Sequence, residues 1–125
     1  MEKNYQNYVC PYCFYRLENC KCNHPPWTLI QIDAGIQNAV RELNQKGYDT
    51  QYCCEGHFNF SFSIYITFYQ SYNFPEIPEG FKLKDKKTHL EYIVKGKTFD
   101  DFESDRKLHL EKLNQWVKQL PVNKK

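Results

Sequence analysis

The sequence predicts an α+β protein with a small cysteine-rich segment at its N-terminus. Three observations support this: paired cysteines near the start of the chain, one segment with clear two-residue apolar alternation, and two segments with a helical apolar stripe. A chain of 125 residues is long enough for one small domain. We therefore expect a cysteine-rich segment with its linker over residues 1–26 and one α+β domain over residues 27–125.

The N-terminal cysteines have the spacing of a metal site. The stretch "CPYCFYRLENCKC" carries Cys10, Cys13, Cys20 and Cys22. A Cys-x-x-Cys turn directs two sulfurs at one ion, and four thiolates suit the tetrahedral geometry of zinc. The sequence therefore predicts a zinc knuckle with Zn as its cofactor. The metal supplies folding energy to a segment too short for a core of its own.

Two alternatives stay open for this segment. His24 lies two residues beyond Cys22 and can replace one thiolate on the metal. Without a metal, the four cysteines would be buried or redox-active thiols. Pro25 and Pro26 follow and predict a stiff linker into the main domain.

The segment "IDAGIQNAVRELNQKGYDT" predicts the first helix of the main domain. Its apolar residues Ile36, Val40 and Leu43 recur at helical spacing. Asp33 stands where an N-terminal capping residue belongs, and Gly47 stands where a helix commonly ends in the left-handed conformation. The simplest role for Asp33 is that cap.

Two strands follow, joined by a short corner. In "YDTQYCC" the two-residue alternation places Thr50, Tyr52 and Cys54 on one face of the first strand. The second segment, "FNFSFSIYITF", is typical of a half-buried strand in an antiparallel sheet. Its apolar face comprises Phe60, Phe62, Ile64, Ile66 and Phe68.

The last third of the chain predicts a hairpin and a long helix. Strands near Phe81–Lys84 and His89–Lys95 flank a charged turn. Thr98 and Asp101 approximate a capping box at the start of the helix, and Pro121 ends it. The predicted apolar stripe comprises Phe99, Phe102, Leu110, Leu113, Trp116, Val117 and Leu120. We expect about four antiparallel strands with these two helices packed on them.

Charge and composition exclude several classes of protein. The formal net charge is +2, divided into −3 over residues 1–81 and +5 over residues 82–125. This balance does not fit a strongly basic nucleic-acid binder. No apolar run is long enough to span a bilayer, and the first residues do not resemble a signal peptide. Six cysteines without a secretory signal favour metal or thiol chemistry in the cytoplasm.

The corner "CCEGH" between the two strands permits three interpretations. Cys54 and His57 can be ligands of a second zinc, but the sequence offers no second spaced pair to complete the site. Alternatively, Cys54 is a nucleophile with His57 as its base and Glu55 nearby. In the third, Gly56 makes a turn and the cysteines only pack. We favour a functional corner over a second metal site, while a plain turn stays open.

A local resemblance concerns the same corner. Over Ile32 to Phe58 the chain resembles the start of the wybutosine-synthesising tRNA methyltransferase family. By that resemblance Asp33, Thr50, Cys54 and Gly56 fall on family positions. Cys53 and Glu55 stand where the family has serine, and His57 stands where it has arginine. The combination of "LN-x-KGY-x-T" with "CC-x-GH" is also similar to small proteins of firmicute bacteria and their phages.

The sequence thus predicts a small cytoplasmic zinc-binding protein that acts as a binding or interaction module of phage derivation, with a protein or RNA partner and no membrane contact. The predicted ligand-binding residues of the corner are Thr50, Tyr52, Cys54, Glu55 and His57. The alternative is a tRNA-modifying enzyme similar to the methyltransferase family, with its substrate pocket and candidate catalytic residues at Asp33, Cys54 and His57.

Overall fold

The computed structural model describes residues 8–22, 29–59 and 61–123. These residues form two antiparallel sheets and two α-helices, so the predicted α+β class is confirmed. The strands are β1 (Tyr8–Val9), β2 (Ile30–Gln31), β3 (Thr50–Cys54), β4 (Ser63–Phe68), β5 (Lys82–Lys84) and β6 (His89–Ile93), and the helices are α1 (Gln37–Gln45) and α2 (Phe99–Gln119). His24, the Pro25–Pro26 linker and Phe60 lie outside the described residues, so the predictions made for them stay predictions.

Helix α1 is preceded by a short 3-10 turn at Ala34–Ile36. Its predicted apolar stripe is buried, with Ile36, Val40 and Leu43 each at most 1% exposed. Gly47 ends the helix with a φ of +93°, as predicted, in a conformation that favours glycine.

The predicted capping role of Asp33 is wrong. Asp33 directly precedes the 3-10 turn, but its side chain makes no capping hydrogen bond there. Its carboxylate instead accepts a hydrogen bond from the Glu55 backbone amide, at 3.2 Å, and lies 3.0 Å from His57 Nε2. The Asp33 side chain therefore contacts the loop after β3 and not the backbone amides at the helix start.

The main sheet has the strand order β3-β4-β6-β5, with every neighbouring pair antiparallel. The alternation of β4 is confirmed for Ile64, Ile66 and Phe68, which are buried, whereas Phe62 lies before the strand and is 50% exposed. The buried residues of β4 and β6 enter one core with the stripes of both helices.

A register shift in β3 changes which of its residues share a face. The pairs across β3 and β4 are Thr50 with Phe68, Tyr52 with Thr67, Cys53 with Ile66 and Cys54 with Tyr65, with an irregularity between Thr50 and Tyr52. Directly opposed residues lie on the same face of an antiparallel pair. Thr50 therefore lies with the core-facing residues, and its predicted place beside Tyr52 and Cys54 is wrong. An irregularity of this kind adds a residue to one strand and reverses the alternation beyond it.

The predicted hairpin forms as β5 and β6. Its charged turn holds three consecutive left-handed residues, with φ of 52° at Asp85, 58° at Lys86 and 68° at Lys87. Thr98 begins α2 as predicted, because its hydroxyl accepts a hydrogen bond from the Asp101 amide at 3.2 Å.

Helix α2 buries most of its predicted stripe. The buried members are Phe102, Leu110, Leu113, Trp116, Val117 and Leu120. Phe99 is 56% exposed, so its predicted place in the buried stripe is wrong: it is the first helical residue, and its ring packs edge-to-face with Phe58. Neither helix of the described residues has an apolar stretch long enough to cross a bilayer.

Candidate functional site

The four N-terminal cysteines converge. Their sulfur atoms all lie within 4.8 Å of one another. A tetrahedron with Zn–S bonds of about 2.3 Å has edges of about 3.8 Å, so these sulfurs need only small shifts to hold a metal ion. Cys10 is fully buried and Cys22 is exposed, which places the cluster at the edge of the folded domain. The four thiols fit a metal site, and the donor set is the one that structural zinc prefers.

The turn after Cys10 prepares its sulfur to carry a charge. The amides of Tyr12 and Cys13 donate to Cys10 Sγ at 3.3 and 3.4 Å. Burial acts to raise the pKa of Cys10, but these amides, with further hydrogen bonds from Cys20 and Cys13, lower it to about 6. The hydrogen bond to Cys10, together with burial and the other two thiols, raises the pKa of Cys22 to about 12. One thiolate therefore forms readily, and a cation is needed to balance several at once.

The corner at the end of β3 brings Asp33, from the start of the first helical segment, next to Cys54 and His57. One ligand atom each of Asp33, Cys54 and His57 lies within 4.8 Å of the others. Cys54 is 8% exposed, and the side chain of His57 is 44% exposed. The sequence offers no second spaced pair to complete a metal site at Cys54 and His57, whereas the fold places the Asp33 carboxylate beside them.

Glu55 has a different set of contacts. Its Oε2 accepts a hydrogen bond from the Gly35 amide at 2.7 Å and lies 3.5 Å from an Arg106 guanidinium nitrogen. A Cβ at position 35 would lie 2.0 Å from that oxygen, so glycine there lets the carboxylate reach the backbone. Glu55 thus ties the corner to the 3-10 turn before α1 and to α2. It does not belong to the cluster of Asp33, Cys54 and His57, and its predicted ligand-binding role stays a prediction.

Cys53 and Thr50 face the core side of β3. Burial is the main cause that raises the pKa of Cys53 to about 12, and the charges of Asp33, Cys54 and Glu55 add to it. The Thr50 hydroxyl accepts a hydrogen bond from the Asn44 side chain of α1 at 2.8 Å. Thr50 is therefore held by the helix, although it also borders the cleft described next.

A cleft of about 840 Å³ lies between the N-terminal segment and β3, and we call it the tyrosine cleft. Its tyrosines are Tyr12, Tyr52, Tyr65 and Tyr69, and its other lining residues are Pro11, Phe14, Ile30, Gln31, Ile32, Asn44, Asp49, Thr50, Gln51 and Cys53. Tyr12, Tyr52 and Tyr69 are 71%, 64% and 69% exposed. Tyr65 lines the cleft and is paired with Cys54 across β3 and β4, so one end of the cleft adjoins the corner.

The sequence pattern places Tyr52 at the corner but gave no prediction for Tyr12 or Tyr69. Tyr69 continues the alternation of β4 through Tyr65, so that pattern contained a usable signal. The sequence held no such signal for Tyr12, because its place in the cleft depends on how the cysteine-rich segment docks.

Comparisons of the chain with protein-family models, with curated proteins and with solved structures find no significant match. The resemblance to the wybutosine-synthesising family over Ile32 to Phe58 therefore stays a prediction.

Proposed function

We propose that this protein is a small cytoplasmic zinc-binding module that binds a ligand with a planar ring in the tyrosine cleft. The observation that carries the proposal is the cleft itself: a concavity of about 840 Å³ walled by exposed aromatic rings. Small-molecule sites are typically concave, with volumes of roughly 300–1,000 Å³, and combine aromatic walls with a few polar groups. A closed corner beside a flat apolar patch would favour a protein-binding surface instead.

The zinc site supports one wall of this cleft. Pro11, Tyr12 and Phe14 line it, and they lie between or directly after the first pair of cysteines. Zinc bound to Cys10 and Cys13 would fix the backbone that carries Tyr12. The metal therefore contributes to binding indirectly, by holding a wall in place.

The lining residues also indicate the charge of the ligand. Among the described residues that line the cleft, Asp49 is the one with a charged side chain, and none is lysine or arginine. Asn44 and Gln51 add neutral hydrogen-bonding groups. A phosphate would find no cation here, so the proposed ligand is neutral or cationic, with a nucleobase or nucleoside as the nearest chemical class.

The test is a titration of the full zinc-loaded chain with adenosine, guanosine, cytidine and uridine, followed by backbone amide NMR. We expect the shifts to cluster around the four tyrosines of the cleft. Tyr52→Ala should weaken binding about tenfold or more, because one base–aromatic stack contributes roughly 1–3 kcal/mol. Phe62→Ala is the matched control, since this ring is 50% exposed but does not line the cleft. Equal affinity of Tyr52→Ala and the parent chain would contradict the proposal.

A second candidate function is a tRNA-modifying enzyme related to methyltransferases. The observation that favours it is the convergence of Asp33, Cys54 and His57 next to a cleft suited to a base. Incubation with unmodified tRNA and radiolabelled S-adenosylmethionine tests it. Methyl transfer by the parent chain that is lost in His57→Ala would support the enzyme. Nucleoside binding without methyl transfer would contradict the enzyme and support only the binding function.

A further inference from the structure

Three different ligand types meet at the corner after β3. Asp33 offers a carboxylate, Cys54 a sulfur and His57 an imidazole nitrogen, all within 4.8 Å of one another. We propose that these three residues bind a second transition-metal ion, separate from the ion at the four N-terminal cysteines. The inference goes beyond the proposed binding in the tyrosine cleft, because it assigns a metal ion to the corner.

The donor set selects the class of ion. Calcium and magnesium take oxygen ligands, so a site with a thiolate and an imidazole does not suit them. Zinc accepts sulfur, nitrogen and carboxylate oxygen together in tetrahedral geometry. Zinc is therefore the expected ion, and cobalt(II) is its natural spectroscopic substitute.

Backbone groups hold the three ligands in place. The Glu55 amide donates to Asp33 Oδ2 at 3.2 Å, and the Gly56 amide lies 3.4 Å from Cys54 Sγ. His57 sits at the start of a tight turn closed by two backbone hydrogen bonds with Ser61, at 2.7 and 2.9 Å. Hydrogen bonds to the ligand residues themselves orient these residues toward a metal ion and are a regular part of metal sites.

Three protein ligands leave one tetrahedral position open. Structural zinc sites usually have four protein ligands, whereas sites that act on a ligand keep one position for water or substrate. Here Cys54 is buried and the His57 side chain is 44% exposed, so the cluster has a buried and a solvent-facing side. Tyr65 lines the tyrosine cleft and is paired with Cys54 across β3 and β4, so the cleft adjoins the cluster.

The first measurement is the zinc content of the full chain, purified from zinc-supplemented medium and desalted without chelator. We expect about two zinc ions per chain, falling to about one in His57→Ala and in Cys54→Ser. X-ray absorption at the zinc edge should show sulfur together with nitrogen or oxygen ligands in the parent chain, and sulfur ligands alone in His57→Ala. Circular dichroism verifies that each variant is folded.

Matched controls come from neighbouring residues of the same type. Cys53→Ser and His89→Ala should keep about two zinc ions, since neither residue belongs to the cluster. A parent chain with about one zinc ion and only sulfur ligands would overturn the inference, as would a folded His57→Ala chain that keeps both ions. The proposed function is tested separately. If the chain holds two zinc ions but binds no nucleoside, the second metal site stands and the proposed binding in the tyrosine cleft is wrong.

Discussion

Asp105 joins three parts of the fold through one carboxylate. Its Oδ2 accepts hydrogen bonds from the Tyr92 hydroxyl on β6 and from the Lys95 amide, and its Oδ1 lies 3.2 Å from His109 Nδ1. Burial acts to raise the pKa of Asp105, but these hydrogen bonds and the nearby His109 and Lys95 hold it below its ordinary value. A carboxyl group with a lowered folded-state pKa stabilises the fold above its unfolded pKa, about 3.9, and loses that contribution in acid.

Asp105→Asn should therefore lower the free energy of unfolding at pH 7 by about 1.5–3 kcal/mol, the range for hydrogen bonds to a charged group. The difference between parent and variant should shrink as the pH falls below about 4, because the parent carboxylate is then protonated. Urea unfolding followed by circular dichroism at both pH values measures it. Glu111→Gln, an exposed change on the same helix, is the control and should differ little from the parent at either pH. A difference that is constant with pH would contradict the electrostatic explanation.

For single residues, the sequence predicted which side chains can bind a metal more readily than which side chains contact each other. The spacing of Cys10, Cys13, Cys20 and Cys22 predicts a cluster because all four lie within one short segment. The partnership of Asp33 with His57 joins a helix start to a loop that follows a different strand. No local pattern encodes that distance, and the helix start offered Asp33 a plausible competing role.

Helix α2 shows how an element is fixed by its pattern. Leu113 is 1% exposed and Val117 is fully buried, while Leu108 on the same helix is 48% exposed. The 3.6-residue period alone predicts this division, because only one side of a surface helix meets the core. The period did not predict the exposure of Phe99, since a first helical turn lies at the margin of the contact.

Leu113→Asp should unfold the domain. A buried unpaired carboxylate costs several kcal/mol, against a total stability of about 5–15 kcal/mol for an ordinary domain. Leu108→Asp is the matched control and should cost less than about 1 kcal/mol, because its side chain remains in water. Thermal unfolding by circular dichroism compares the two. Similar melting temperatures for both variants would show that α2 does not pack as described.

At the scale of the whole molecule, the cysteine-rich segment is built into the domain. Val9 is fully buried in the common core, and β1 pairs with β2. The Arg41 side chain donates to the Phe14 carbonyl at 3.1 Å, and Arg16 donates to the Gln37 side chain at 2.9 Å. Loss of metal from the segment should therefore lower the stability of the whole domain, and not only disturb the cysteines.

Cys22→Ser tests this coupling. We expect the chain to lose the zinc of its N-terminal site and to melt at a lower temperature, since the metal's binding energy contributes to folding. Lys21→Ser, an exposed change at the adjacent position, should keep both the zinc and the melting temperature. Elemental analysis and thermal unfolding measure the two quantities. Unchanged zinc content in Cys22→Ser would remove this cysteine from the ligand set.

The register shift in β3 also bears on how separate copies of the chain behave in concentrated solution. Within the described residues, β3 and β5 are the two edges of the main sheet, and an edge strand can template cross-molecular strand addition. The shift breaks the regular hydrogen-bonding row of β3, and β5 has three residues, two of them the exposed lysines Lys82 and Lys84. Irregular, short and charged edges resist amyloid-like stacking. We therefore expect the irregularity that reorients Thr50 to oppose aggregation of the chain.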